Sequence, residues 1–102
     1  MEIIVTSSNK ASILKNISKK LLKLGLSACN QILPKIESHY IWEGNIQKDF
    51  ETILIIKTSK SNLKEVKKII MNMHNYKVPE IINVKSSILN KAYKKWFISI
   101  VE

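Results

Sequence analysis

Two periods of apolar positions alternate along the chain. EIIVTS (Glu2–Ser7) is short and β-branched, as a buried strand is. Ser8 or Asn9 is placed to cap a following helix that carries Ile13, Leu14, Ile17, Leu21 and Leu24 on one face, and Gly25 supplies its left-handed stop. LSACNQILP reads as a second strand, with Pro34 marking a bulge or edge break before IESHYIWEG resumes the extended pattern. In that second piece Ile36, Tyr40 and Trp42 share one face, and Glu37, His39 and Glu43 the other. EGNIQKD, with its Gly-Asn and polar neighbours, reads as the turn of a long hairpin, and FETILIIKTS returns as the partner strand. A second helix, SNLKEVKKIIMNMH, has Leu63, Val66, Ile70 and Met73 as its core stripe, with Asn62 and Glu65 at capping-box spacing. EIINVKS is a fourth strand, and LNKAYKKWFISIV a last helix with Leu89, Tyr93, Trp96 and Ile100 at helical spacing.

The order β-α-β-β-α-β plus a terminal helix is the split βαβ, ferredoxin-like arrangement of the α+β class, an antiparallel sheet with helices over one face. No linker or shift of composition divides residues 1–102, so one domain is expected. The paired strands after residue 35 are long for so small a domain. Their ends project past a single sheet and leave hydrogen-bonding edges open, and a second copy of the chain is the simplest cover.

Composition narrows the functional classes. The chain is 45% hydrophobic, enough for one core, and no apolar run reaches the roughly 18–20 residues of a membrane helix. The opening MEIIVTSSNK has no basic segment leading into an apolar run of secretory length, and a single cysteine forms no internal disulfide; a cytoplasmic location is expected. Net charge is +9, yet all 17 basic residues are lysine. Without arginine the chain lacks the bidentate fork that reads guanine edges and phosphates, so the charge reads as a solvated surface and not as a specific nucleic-acid stripe. The strand candidates EIIVTS and EIINVKS also lack the stacking aromatics of an RNA-recognition sheet. No Gly-rich phosphate loop, CxxC, HExxH or GxSxG occurs, and no enzyme class is indicated.

The candidate chemistry concentrates in HNYKVPE (residues 74–80), where His74, Tyr76 and Glu80 crowd a helix-to-strand corner set by Pro79. Cys29, beside Ala28 in the second strand, is either a small buried hydrophobe or a soft thiolate ligand for copper or zinc. His74 is either a helix-end histidine satisfied by a carbonyl or an imidazole ligand. No two metal-type ligands stand at a local chelating spacing, so Cys29, His74 and Glu80 meet only through tertiary or subunit contacts.

Four ordered blocks resemble the CutA family, the divalent-cation tolerance proteins: LSACNQILPKIESHYIWEG, ETILIIKTS, HNYKVPEII and AYKKWF, which together span essentially the whole chain. The resemblance implies a ferredoxin-like protomer in a homotrimer whose long hairpins wrap neighbouring subunits. It further implies a non-enzymatic role in tolerance of copper or another divalent cation, with no organic cofactor, no membrane and no specific nucleic-acid partner. Carried over by position, Cys29, His74 and Glu80 become the metal candidates, and Trp42, Lys57, Tyr76, Tyr93 and Trp96 the cleft wall. The likeness of such trimers to the PII signalling proteins implies an alternative, a small anionic metabolite in the same cleft, with Lys57 and Lys77 supplying charge. Asn75 and Lys77 depart from the family pattern, which has proline and an acid or polar residue there.

Overall fold

A computed structural model describes all 102 residues, Met1–Glu102. The elements follow the expected order: β1 (Glu2–Ser8), α1 (Ala11–Lys23), β2 (Ser27–Trp42), β3 (Asn45–Thr58), a short 3-10 turn (Lys60–Asn62), α2 (Leu63–Met73), β4 (Ile82–Lys85) and α3 (Lys91–Val101). The strands form one antiparallel sheet in the order β2-β3-β1-β4. Alternation sends Ile4, Leu54 and Ile56 to one face, where they meet Leu14, Ile17 and Leu21 of α1 and Val66, Ile69 and Ile70 of α2 in the main core. A smaller cluster of Ala28, Phe97 and Val101 seats α3 at the end of the sheet where β2 begins.

The opposite face of the sheet carries no comparable helical layer. Register places Cys29, Lys57, Ile3 and Val84 in one row across it, and Gln31, Ile55, Val5 and Ile82 in the next. Leu33, Ile82 and Val84 are about half exposed there, at 48%, 49% and 48%. The β2–β3 hairpin also runs past the core, and Ile41, Trp42, Ile46 and Phe50 lie open along it.

Pro34 does mark a break. Register slips between the Leu33–Ile53 and Ile36–Glu51 pairs, with Lys35 at φ 55°. This bulge sets Pro34 and Lys35 against Thr52 alone, one extra residue in β2, and so exchanges its faces. Beyond it the even-numbered Ile36, Tyr40 and Trp42 fall on the uncovered face that Leu33 occupied before it, together with Glu51 and Ile53.

Local contacts correct several expectations. The hairpin turn is only Glu43-Gly44, both at positive φ (50° and 79°), the signature of a type I′ turn; Asn45 to Asp49, expected in the turn, already pair with Trp42 to Ser38. Neither Ser8 nor Asn9 caps α1, because the Ser8 hydroxyl accepts from Lys10 N at 3.0 Å, ahead of the first turn. Gly25 does take the left-handed geometry, at φ 67°, but Leu24 lies past the helix and is exposed. On α3 the expected stripe is displaced by one residue: Asn90 caps the helix through Tyr93 N, Leu89 precedes it at 94% exposure, and Phe97 and Val101 are the buried positions. Trp96 and Ile100 stay open. The fourth strand is shorter than EIINVKS, which leaves Glu80 in the approach to β4.

Asn62 makes no capping box. Its Nδ2 donates to Val101 O at 3.1 Å and to Leu26 O at 3.4 Å, fastening the end of α3 and the α1–β2 loop to the start of α2. Asn62→Ala takes the donor from Val101 O, while Leu26 O keeps the Thr58 hydroxyl, so denaturant unfolding should show a loss of about 1–2 kcal/mol, more than a surface Asn→Ala control.

Candidate functional site

The bulge, the α2–β4 corner and the end of β1 enclose a groove of about 800 Å³ on the uncovered side of the sheet. Ile36, Tyr40 and Trp42 of β2, Glu51 and Ile53 of β3, and Tyr76, Lys77, Val78 and Glu80 of the corner line it, with Ser7, Ser38 and His39. HNYKVPE is thus a wall of the largest hollow in the molecule.

A hydrogen-bonded network locks this wall. His74 Nε2–H donates to Ser7 O at 2.8 Å, while Nδ1 accepts from Tyr76 N at 3.0 Å, so the ring is the neutral Nε2–H tautomer with both nitrogens engaged. The Tyr76 hydroxyl donates to Glu51 Oε2 at 2.6 Å and accepts from Asn9 N at 2.8 Å. Asn75 accepts from Ser8 Oγ at 2.6 Å and donates to Asn9 Oδ1 at 2.8 Å. The residue that stands where the family pattern has proline therefore ties the corner to the β1–α1 loop. Along the hairpin the Tyr40 hydroxyl donates to Asp49, and His39 Nε2–H donates to Glu37 at 2.6 Å.

Burial, reinforced by the hydrogen bond to Glu51, holds the Tyr76 phenol well above its ordinary value near 10; the Asn9 N–H pulls the other way without reversing this. The hydrogen bond to Asp49 raises the Tyr40 phenol, and desolvation and the nearby carboxylates add to it. A raised folded-state value means that the neutral phenol is favoured by the fold. The stability Tyr76 provides is complete below the unfolded pKa of about 10 and drains away as pH climbs through the higher folded value. Tyr76→Phe should cost roughly 1–2 kcal/mol near neutral pH. Urea midpoints of the two proteins should then converge as pH rises past about 10, because only the wild type has this phenol to ionise.

The residues singled out in the sequence divide among three places. Trp42, Tyr76 and Glu80 line the groove, with His74 directly behind it. Cys29, a free and half-buried thiol, stands opposite Lys57 on the sheet face. Tyr93 packs on the α3 cluster with its ring 5.3 Å from that of Trp96, away from the groove. Within one chain no group of three or more His, Cys, Asp or Glu side chains is gathered to hold a metal ion, and Cys29, His74 and Glu80 do not converge. Sequence reasoning passed over Glu51 and took Asn75 only as a departure from the family pattern. Glu51 begins ETILIIK, and its signal was parity: it shares a face with Ile53 and Ile55, on which an acid needs a partner.

A four-stranded antiparallel sheet with helices on one side, an extended hairpin and a groove at the α2–β4 corner makes this a ferredoxin-like α+β protein. The chain belongs to the CutA family: the family model described as CutA1 divalent ion tolerance protein matches residues 2–99. It is 30% identical over 95 residues to the divalent-cation tolerance protein CutA of Thermus thermophilus, covering 93% of this chain and 92% of that one. The solved structure of the divalent cation tolerance protein from T. thermophilus superposes with a TM-score of 0.93 at 28% identity and covers both chains completely. The CutA homolog of Xenopus laevis is 33% identical over 90 residues, 88% of this chain, and the match spans only 60% of that longer protein.

Proposed function

We propose that the chain is a non-enzymatic, homotrimeric divalent-cation tolerance protein, with copper or another divalent ion held where subunits meet. The observation that carries this reading is the uncovered sheet face. Its apolar rows (Ile55, Val5 and Ile82 in one, Ile3 and Val84 in the next) continue into the exposed hairpin residues Tyr40 and Trp42, a contiguous apolar surface of the kind that marks an interaction site. Ring closure by three copies covers both that face and the β2 edge.

The donor set supports an ion shared between subunits. Glu80 reaches the groove, Cys29 lies on the sheet face, and His74 joins a metal shell only by releasing the Tyr76 N–H. A shell built from such donors is completed across a boundary, where a soft thiolate suits copper and a carboxylate admits harder ions. Trp42 and Tyr76 shape the cleft, while Lys57 beside Cys29 opposes a second cation there. The chain works in the cytoplasm, where the thiol of Cys29 stays reduced.

A small anionic metabolite is the weaker occupant. The groove lining carries two carboxylates, Glu51 and Glu80, against one ammonium, Lys77, and is negative in a chain of net charge +9.

Native mass spectrometry should show a trimer. Copper titrated by calorimetry should bind the wild type and lose affinity in Cys29→Ala and Glu80→Gln. A monomer, or unchanged copper binding in the two variants combined, overturns the proposal.

A further inference from the structure

We infer that the outward surface of α1 and α2 binds the phosphate backbone of single-stranded nucleic acid without reading its sequence. This goes beyond the divalent-cation reading and uses the other side of the molecule.

The fold sorts charges that the sequence intermingles. α1 carries Lys15, Lys19, Lys20 and Lys23, and the segment Lys60–Met73 carries Lys60, Lys64, Lys67 and Lys68. Against these eight lysines stands one acid, Glu65, so the two segments hold +7 of the chain's net +9. The carboxylates lie elsewhere, with Glu37, Glu43, Asp49 and Glu51 on the hairpin and Glu80 at the corner. A lysine-rich composition raises lysine everywhere; it does not clear one layer of acids. All eight lysines are exposed, and none forms an ion pair. Both helices turn their apolar sides into the core, so this surface faces away from the sheet. In the proposed homotrimer the opposite face of the sheet and the β2 edge are covered, and the helical layer stays outermost.

Spacing gives the patch its order. Lys15, Lys19 and Lys23 follow at i, i+4 and i+8, and Lys60, Lys64 and Lys68 repeat the interval on the neighbouring segment. Along a helix such neighbours stand about 6 Å apart, close to the step between phosphates of an extended strand. Like charges at i, i+4 repel, so each row opposes its own helix until a polyanion neutralises it. Lysine meets phosphate as a point charge, and a patch without arginine has no fork for base edges, so binding is independent of sequence.

A bilayer fits this surface less well. Ser12 and Asn16 lie among the lysines of α1, and Leu22 and Met71 are the only large apolar side chains exposed on the two helices, too little to enter a membrane. In a trimer the three layers also point in three directions, which a flexible strand follows and a flat membrane does not. That last point rests on the trimer; the charge pattern does not.

A fluorescein-labelled single strand of roughly 20 nucleotides, titrated by anisotropy into the intact oligomer, tests this. Affinity should fall at least about tenfold between roughly 50 and 200 mM salt, and two unrelated sequences should agree within about threefold. Lys19→Glu/Lys64→Glu sets an acid in the middle of each row and should weaken binding at least about tenfold. It turns repelling neighbours into ion pairs, so its melting midpoint should not fall. Lys19→Gln/Lys64→Gln, which adds no charge, should weaken binding by a smaller factor. Lys91→Glu/Lys94→Glu makes the same change of net charge on α3 and should leave affinity within about threefold. No binding at the lower salt, an equal loss in the α3 variant, a strong sequence preference, or tighter binding to equimolar phosphatidylcholine–phosphatidylserine vesicles overturns the inference. Copper titration of the same variants is a separate readout, and its failure sinks only the metal reading.

Discussion

Ile70→Ala is expected to destabilise the protein by about 2–5 kcal/mol. Ile70 is fully buried on α2, within the cluster that joins α1, α2 and the strands β1 and β3. Truncation removes three methyl or methylene carbons from a close-packed interior and leaves a cavity that rigid neighbours fill only partly. A second effect follows from where α2 ends. Ile70 O accepts from His74 N at 2.9 Å, so the last turn of α2 sets the position of the histidine that anchors the groove wall to Ser7. The unfolding midpoint should fall by roughly 4 °C or more per kcal/mol, measured at one protein concentration because assembly adds a mass-action term. Nuclear resonances of Tyr76 should shift with it. A variant as stable as the wild type would mean that this core does not pack as described.

Glu2→Met is expected to act in the opposite direction and stabilise the fold by about 1–3 kcal/mol. Glu2 is 95% buried, and its Oε2 has no hydrogen-bond partner. It stands in a row with Thr58 and Ser27, both fully buried, and Ser27 Oγ is likewise unpartnered. Opposite it on β4 is Lys85, exposed and forming no ion pair. A carboxyl oxygen shut away from water without a compensating donor opposes folding, whereas a thioether of similar length keeps the volume and removes the penalty. Glu2→Gln separates charge from shape, since it keeps the volume but still buries polar atoms. It should lie between the wild type and Glu2→Met. Loss of stability in Glu2→Met would show that the carboxyl has a stabilising partner in the assembled protein.

What was legible in the sequence was local. The stripes of Leu14, Ile17 and Leu21 and of Val66 and Ile70 follow from helical period alone, and both faces their buried sides as expected. Pro34 announced the bulge because it has no N–H to give the ladder. The misses were tertiary. Asn62 has the right spacing for a cap, yet the nearby carbonyls of Leu26 and Val101 outcompete its own helix. Trp96 and Ile100 have the right period for a core, but α3 meets the sheet only at its end, so the neighbouring positions Phe97 and Val101 are buried instead. At the site, HNYKVPE gave the location of the groove but not its partners. Glu51 lies 25 residues from Tyr76 and Ser7 lies 67 from His74, separations that no local pattern encodes.

The position of β1 has a kinetic consequence. It is the first strand to be synthesised and lies inside the sheet, between β3 and β4. Its partners arrive late: Val5 pairs with Ile55 on one side and Ile82 on the other. The β2–β3 hairpin closes through a two-residue turn, and such local pairing forms in about 1–10 μs. A ribosome adding roughly 5–20 residues each second therefore exposes a finished hairpin for seconds before the last edge of β1 can be closed. During that interval the nascent chain offers open strand edges and a bare apolar face, so the rate of elongation, and the crowding of sister chains on one message, set how many molecules reach the native fold.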